Sequence, residues 1–284
     1  MFLDFFRRKW YNKNMKCDLH IHSNKSDGIY SPTAIVDMAK ERGLECISIT
    51  DHDTVDGVRQ ATTRAKEIGL KCLVGTELSC YSVCEVHLLG YNMNIEDGGF
   101  AEEIGKIVDL RNKRNDQIFS KLHEHGFDID RKALEEHGGT VGRGVIAREM
   151  VRLGYCKSVA EVFDNYLGVD KCCYVQSKRL TPVEGIRFIL RFGGIPVLAH
   201  PKKLRLGDMT FEQFLKPLVL SGLGGIEAEY FAHTNAERRF FGKMARKYKL
   251  IVTGGSDFHD YTHGIELGTK SFAPNSYTRT VLGI

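Results

Sequence analysis

The sequence lacks a large excess of either charge: 40 lysines and arginines stand against 36 aspartates and glutamates, a net charge of +4. So even a balance gives no general polyanion-binding surface and leaves room only for local basic sites. Long apolar runs are also missing; the longest are strand-sized, which argues against a membrane-spanning helix. The 8 cysteines, at 17, 46, 72, 80, 84, 156, 172 and 173, include no Cys-x-x-Cys pair, which argues against a thiolate zinc site. Cys46 and Cys72 lie in apolar runs, where a thiol acts as a small hydrophobe, so no disulfide framework is expected. There is no internal repeat and no low-complexity segment. The opening MFLDFFRRKWYNKN lacks a secretory pattern, because Asp4 interrupts its apolar stretch and no small-residue cleavage site follows. A reducing, cytoplasmic compartment is the expectation.

What is present is an ordinary globular mix, 42% hydrophobic and 27% charged over 284 residues. Short apolar segments alternate with helical ones. The expected strands are Lys16–Ile21, Cys46–Thr50, Cys72–Thr76, Val86–Tyr91, Ile195–Ala199, Gly225–Glu229 and Leu250–Thr253. Ser31-Pro32 starts a helix that Gly43 stops, and Thr181-Pro182-Val183-Glu184 is a capping-box pattern closed by Gly193-Gly194. A further helix is expected over Asn235–Lys249. Such alternation predicts an α/β fold with a parallel sheet or barrel. The Glu77–Glu85 connection is too short for a helical crossover, which leaves that strand pairing open.

The rhythm breaks between about Asn94 and Lys178. Helical segments are expected there at Phe100–His125, Arg131–His137, Gly144–Leu153 and Ser158–Tyr166, with no strand series. The expected organisation is an N-terminal extension (1–14), a barrel domain from residues 15–93 and 179–284, and a helical insertion (94–178) capping the substrate site.

Six of the expected strands deliver a His, Asp or Glu at or near their C-terminal ends. The first carries His20 and His22, which share a face at i, i+2. Asp27 follows in the next loop. The others carry His52, Glu77, His87, His200 and the pair Asp257 and His259. In a parallel barrel those ends meet on one face. A single strand-end histidine is ordinarily just a hydrogen-bonded polar residue. Nine candidates at matching positions point instead to metal, and at about four ligands per ion they suit two or three divalent cations of Zn, Mn or Fe. Such a cluster favours phosphoester hydrolysis.

The segments DLHIHSNKSDG, ISITDHDTVDG, GTELS, HLLGY, PVLAHP and VTGGSDFH together resemble the motifs of the polymerase and histidinol phosphatase (PHP) family. The resemblance runs from about Met15 to Gly268. It implies a distorted seven-stranded (β/α) barrel and a trinuclear centre. One ion would take His20, His22, Glu77 and Asp257; a second Glu77, His87 and His200; a third Asp27, His52 and His259. Some members carry His in place of Asp27.

Length and insertion are similar to the subgroup of stand-alone nucleotide phosphoesterases. This implies a nucleoside bisphosphate or a short RNA 5′ end as substrate, attacked by a metal-bridging hydroxide. Arg111 and Arg114, within Leu110–Asn115, resemble the subgroup's arginine-rich helix start. Val141–Ala147 resembles its Gly-Arg-Pro-His-Ile-Ala segment, with Gly144 and Val145 in place of Pro and His. Arg143 and Lys178 complete the expected phosphate grips, with Lys178 displaced by one position from the usual basic residue. An arginine on a helical insertion is more often simply solvated; the case for these is that guanidinium grips a second phosphate bidentately.

His233 is a candidate proton donor or substrate contact, or otherwise a residue at a helix start. Asp18, Asp51 and Asp53 neighbour ligand histidines and are expected to orient them. His123, His125, His137 and His263 are read as surface histidines. Other readings are a cyclic ribose-phosphate phosphodiesterase, a histidinol phosphatase, a C–N hydrolase on a similar barrel, and a catalytically silent metal-binding regulatory module. No membrane association is expected, and the sequence points to no particular protein partner.

Overall fold

The computed structural model describes residues 15–136, 139–176, 179–261, 264–269 and 271–284. The expected N-terminal extension, Lys178, His137 and His263 lie outside the described residues.

The chain opens with strand β1 (Cys17–Ile21), helix α1 (Pro32–Glu41), strand β2 (Cys46–Ile49), helix α2 (Val58–Glu67) and strand β3 (Lys71–Leu73). These three strands form a parallel sheet in the order β1-β2-β3. The start of α1 follows from its cap: Ser31 Oγ accepts from the Ala34 amide at 3.2 Å, and Pro32 needs no partner at the first helical position.

A second sheet contains β4 (Gly75–Tyr81), β5 (Glu85–Tyr91), β6 (Ile195–Leu198), β7 (Gly225–Tyr230) and β8 (Ile251–Gly255) in that order. β4–β5 and β5–β6 are antiparallel, while β6–β7 and β7–β8 are parallel. The open connection after Glu77 is therefore a hairpin through residues 82–84, since so short a link can only join antiparallel neighbours. The single strand expected at Cys72–Thr76 is divided. β3 pairs with β2, the chain turns at Val74, and β4 pairs with β5. Gly75 permits that turn, because a Cβ there would lie 2.2 Å from Ser48 Oγ.

The two sheets meet through isolated bridges, not a continuous ladder: His52 to Glu77 on one side and Ile21 to Phe258 on the other. Between them lies an apolar cluster drawn from strands of both sheets, including Leu19, Cys46, Leu73, Leu89, Val197 and Ile251. Helices α7 (Pro182–Arg191), α8 (Phe211–Leu220) and α9 (Asn235–Lys247) cover the second sheet from outside. α1 and α2 cover the first. The capping box expected at Thr181 is present on α7.

Helices α3 (Phe100–Glu124), α4 (Arg131–Glu136), α5 (Arg143–Arg152) and α6 (Val159–Val162), continued by a π-helical turn over Phe163–Leu167, follow β5. They bury an apolar cluster of their own around Ile118, Leu122, Ile146, Met150, Val162 and Leu167. The chain ends in α10 (Ser276–Leu282). No helix among the described residues is long and apolar enough to cross a membrane.

Candidate metal centre and its arginine wall

The strand ends and the loop after β1 gather the nine candidate ligands into one cluster, with five imidazoles on the Glu77 carboxylate. Its Oε2 lies 3.1 Å from His52 Nδ1, 3.2 Å from His22 Nε2 and 3.3 Å from His20 Nε2. Its Oε1 lies 2.9 Å from both His87 Nδ1 and His200 Nε2. Asp257 Oδ1 stands 3.2 Å from His22 Nε2 and 3.4 Å from His20 Nε2. Asp27 Oδ1 stands 3.2 Å from His259 Nε2 and 3.5 Å from His22 Nδ1.

Among these nine residues, three groups have ligand-type atoms within 4.8 Å of one another: His20, His22, Glu77 and Asp257; His22, Asp27, His52 and His259; and His52, Glu77 and His87. The last contains His52 where His200 was expected, although His200 also reaches Glu77 Oε1.

Local backbone sets this geometry. β8 runs so close to β1 that a Cβ on Gly255 would lie 2.3 Å from His20 Cβ. His200 and Asp257 have positive φ, 25° and 52°, as does Asp53 at 54°. Such conformations persist only where the surroundings enforce them, and they gather at functional sites.

Electrostatics show what the cradle is suited to hold. Burial would raise the Glu77 carboxyl, but the imidazoles of His20, His87 and His52 hold it well below its usual range. Asp257 is likewise held down against burial, by Lys203 and His20, and Asp27 by His259 and His52. Three buried carboxylates thus remain charged and need cations beside them. His20 Nε2, His22 Nε2, His52 Nδ1 and Glu77 Oε2 are buried without a hydrogen-bond partner. Buried polar atoms rarely lack partners, and these four face one another. A nitrogen–oxygen donor set of this kind fits divalent Zn, Mn or Fe.

Two carboxylates missed in the sequence hold the ligand rings. Glu227 Oε1 accepts from His20 Nδ1 at 2.9 Å, and its Oε2 from the His200 amide at 2.7 Å. Glu85 lies 3.4 Å from His87 Nε2. Both were visible as charged residues spaced by two along apolar strands, Glu85 two before His87 and Glu227 in GIEAEY. The aspartates expected to orient the histidines do not touch the rings. Asp18 accepts from the Ser256 amide and hydroxyl, from the Gly268 amide and, more weakly, from the His20 amide. Asp51 accepts from Ser23 and Ser26, fixing the loop before Asp27. Asp53 binds the Ser79 amide and Arg111. Two of them still reach a ligand histidine indirectly: the His20 amide donates to Asp18 Oδ1 at 3.4 Å, and Ser26 Oγ, bound to Asp51, lies 3.5 Å from His22 Nδ1.

His233 is a second correction. It does not line the pocket; its Nδ1 donates to the Ala228 carbonyl, and its ring packs on Tyr230 and Phe241. Burial lowers its pKa, and its Nδ1 proton is engaged by the Ala228 carbonyl rather than facing the cradle. It fits the other reading, a residue at a helix start, directly before the Thr234 cap of α9.

Beside the cradle opens a cavity of about 400 Å³. Asp27, His52, His87 and His259 are among its lining residues, together with Arg111, Arg114, Arg143, Arg148, Arg179 and Lys203 and the carboxylates of Glu85 and Asp260. Arg143 and Arg179 both bind Glu85, the former at 2.5 Å, and they hold its carboxyl well below the usual range despite burial. Burial and the neighbouring Arg111, Arg179 and Arg143 push Arg114 below its usual range. Arg148 donates to the Asp27 carbonyl, and Gly144 leaves room beside Asp27, since a Cβ there would lie 3.1 Å from its Oδ2. Lys203 pairs with Asp257 Oδ2 at 2.8 Å, and the Tyr230 hydroxyl donates to the same oxygen at 3.0 Å. Arg148, Arg179 and Lys203 were not singled out in the sequence. Arg148 follows Gly144 by one helical turn and Arg179 adjoins Lys178, weak signals among 40 basic residues.

The PHP domain family matches residues 18–148. A 5′-3′ exoribonuclease of Haemophilus influenzae is 31% identical over 257 residues, covering 89% of this chain and 93% of that protein. A 3′,5′-nucleoside bisphosphate phosphatase of Chromobacterium violaceum is 29% identical and covers 85% of this chain and 86% of its own. A crystal structure from Bifidobacterium adolescentis, assigned as a metal-dependent phosphoesterase, superposes with a TM-score of 0.85 at 26% identity, covering 94% and 95% of the two chains. The chain therefore belongs to the PHP-domain family and is a metal-dependent phosphoester hydrolase.

Proposed function

We propose that the protein hydrolyses a phosphate ester of a nucleotide or sugar phosphate that carries a second anionic group, either a nucleoside bisphosphate or the 5′ end of a short RNA. The observation that carries this reading is one pocket with a histidine–carboxylate cradle on one side and five arginines on the other. His20, His22, Asp27, His52, Glu77, His87, His200, Asp257 and His259 are the proposed ligands of two or three divalent ions. Ions held there would activate water and neutralise charge on the phosphoryl group.

The chain's own residues do the rest. Glu227 and Glu85 orient His20 and His87. Arg111, Arg114 and Arg143 grip the second anion, where planar guanidinium is suited to phosphate. An arriving phosphate competes with Glu85 for Arg143 and Arg179. Asp257 is fixed by Lys203 and Tyr230. Two relatives, named for exoribonuclease and nucleoside bisphosphate phosphatase activity, support this substrate class.

The architecture is read as a distorted barrel over 15–93 and 179–284 with a helical cap over 94–178. If β3 and β4 are counted as one interrupted strand, there are seven. The bridges between the sheets and the interior cluster support the barrel; the separate apolar core of α3–α6 supports the cap.

The test is phosphate release with added manganese from nucleoside bisphosphates, cyclic ribose phosphates, short 5′-phosphorylated RNA and p-nitrophenyl phosphate. Preference for a bisphosphate or the RNA is expected. Equal turnover of p-nitrophenyl phosphate would remove the second-anion requirement, and preference for the cyclic ester would install the phosphodiesterase reading instead.

A further inference from the structure

Outside the pocket, the end of α3 and the turn after the π-helical stretch bring His125, Cys172 and Cys173 together. One ligand-type atom from each lies within 4.8 Å of the other two. Cys172 Sγ and Cys173 Sγ are 3.8 Å apart. Two sulfurs each bound at about 2.3 Å to one tetrahedral zinc ion are separated by roughly that distance.

The histidine is oriented for the same task. His125 Nδ1 lies 2.8 Å from the Lys121 carbonyl oxygen. A carbonyl only accepts, so Nδ1 carries the proton and Nε2 keeps its lone pair. Ligating histidines characteristically donate their other ring N–H to such an acceptor, which fixes the tautomer. The cysteine turn is also anchored, since the Cys173 amide donates to the Tyr166 carbonyl at 3.0 Å. His125 and Cys172 are exposed and Cys173 is buried, so an ion would enter from solvent with its protein ligands behind it.

We propose that His125, Cys172 and Cys173 form a site for a thiophilic divalent cation of the zinc type, with a fourth position open to water. Its chemistry differs from that of the pocket, where no cysteine or methionine is among the described lining residues: paired thiolates favour soft cations, and carboxylate with imidazole favours harder ones. Binding releases the two thiol protons and forms two metal–sulfur bonds and one metal–nitrogen bond. The ion ties the end of α3 to the segment carrying Tyr174. The Tyr174 carbonyl accepts from Lys121 Nζ at 2.8 Å, and its ring lies 5.6 Å from the Arg143 guanidinium carbon. The site is therefore a staple placed one residue from a support of the arginine wall.

Cobalt titration of the reduced full chain tests this, because thiolate-to-cobalt charge transfer absorbs in the near ultraviolet and nitrogen–oxygen ligands give no such band. The band is expected to saturate at one equivalent per chain in the wild type and equally in Glu77→Gln. Cys172→Ser, at an exposed position, is expected to abolish it while retaining phosphate release. His125→Gln is expected to weaken cobalt binding at least tenfold. Absence of the band in the wild type overturns the proposal, as does its persistence in Cys172→Ser, unchanged affinity in His125→Gln, or saturation only at millimolar cobalt, which would mean adventitious binding.

Discussion

The two walls of the pocket are built in opposite ways. On the cradle side, short strands of both sheets deliver buried imidazoles and carboxylates whose backbone is fixed by ladders and, at His200 and Asp257, by left-handed conformations. On the arginine side, α3, α5 and the segment before α7 deliver long, flexible cations held mainly by exchangeable partners such as Glu85, Asp53 and Asn115. The contrast suits the division of labour. Chemistry at phosphorus needs groups held to fractions of an ångström, which strand ends supply. A second anion can be gripped by side chains that trade a carboxylate for it.

The largest effect is expected at the centre of the rigid wall. Glu77→Gln should abolish metal binding and activity together, because five imidazoles share that carboxylate. Elemental analysis beside phosphate release checks this, and a variant that retains activity would break the contrast between the walls. Glu227→Gln touches only the support of His20 and the His200 amide, so metal affinity should fall by about 10–100-fold, with activity recovered at excess metal; a loss that no metal concentration restores would place Glu227 at the reacting atoms instead. On the opposite wall, Arg143→Ala should raise KM for a bisphosphate by about tenfold, the value of one charged hydrogen bond, and leave p-nitrophenyl phosphate unaffected. A fall in kcat for both substrates would erase the distinction.

Protonation separates the metal-free cradle from the loaded one. Against burial, Asp257 and Glu77 hold His22 up to about 10, and Glu77 holds His87 up to about 9, from an ordinary 6.5. A raised folded pKa gives stability that is complete below the unfolded value and is lost as pH rises through the folded one. The metal-free protein should therefore lose stability between pH 6.5 and about 10, whereas metal-loaded imidazoles carry no such proton. Urea midpoints with and without chelator across that range check this; parallel curves would refute it. The smallest effect is expected at the Thr234 cap of α9, which does not line the cavity. Thr234→Ala should cost about 1 kcal/mol of stability, read from urea midpoints, at unchanged KM.

The candidate ligands were legible because strand periodicity is local. His20 and His22, or Asp257 and His259, advertise a shared face from their spacing alone, and each strand-end motif has its own signature. Adjacency to a histidine did not tell how Asp18, Asp51 and Asp53 act, since Asp18 takes the His20 amide and Asp51 the Ser26 hydroxyl beside His22, not the rings themselves. His233 fails similarly: its place after β7 was legible, but its packing against Phe241 was not.

Composition and spacing by themselves determined the α/β alternation, the hairpin-length link after Glu77 and the nitrogen–oxygen character of the centre, all properties of neighbouring residues. Only the tertiary structure decided which partners meet. Glu227 reaches His20 across 207 positions, and Arg143 reaches Glu85 across 58. His125 lies near Cys172 and Cys173 although no Cys-x-x-Cys motif marks a thiolate site. Periodicity along the chain records which face a residue takes, whereas pairing across it is set by how the elements pack, and no local pattern encodes that.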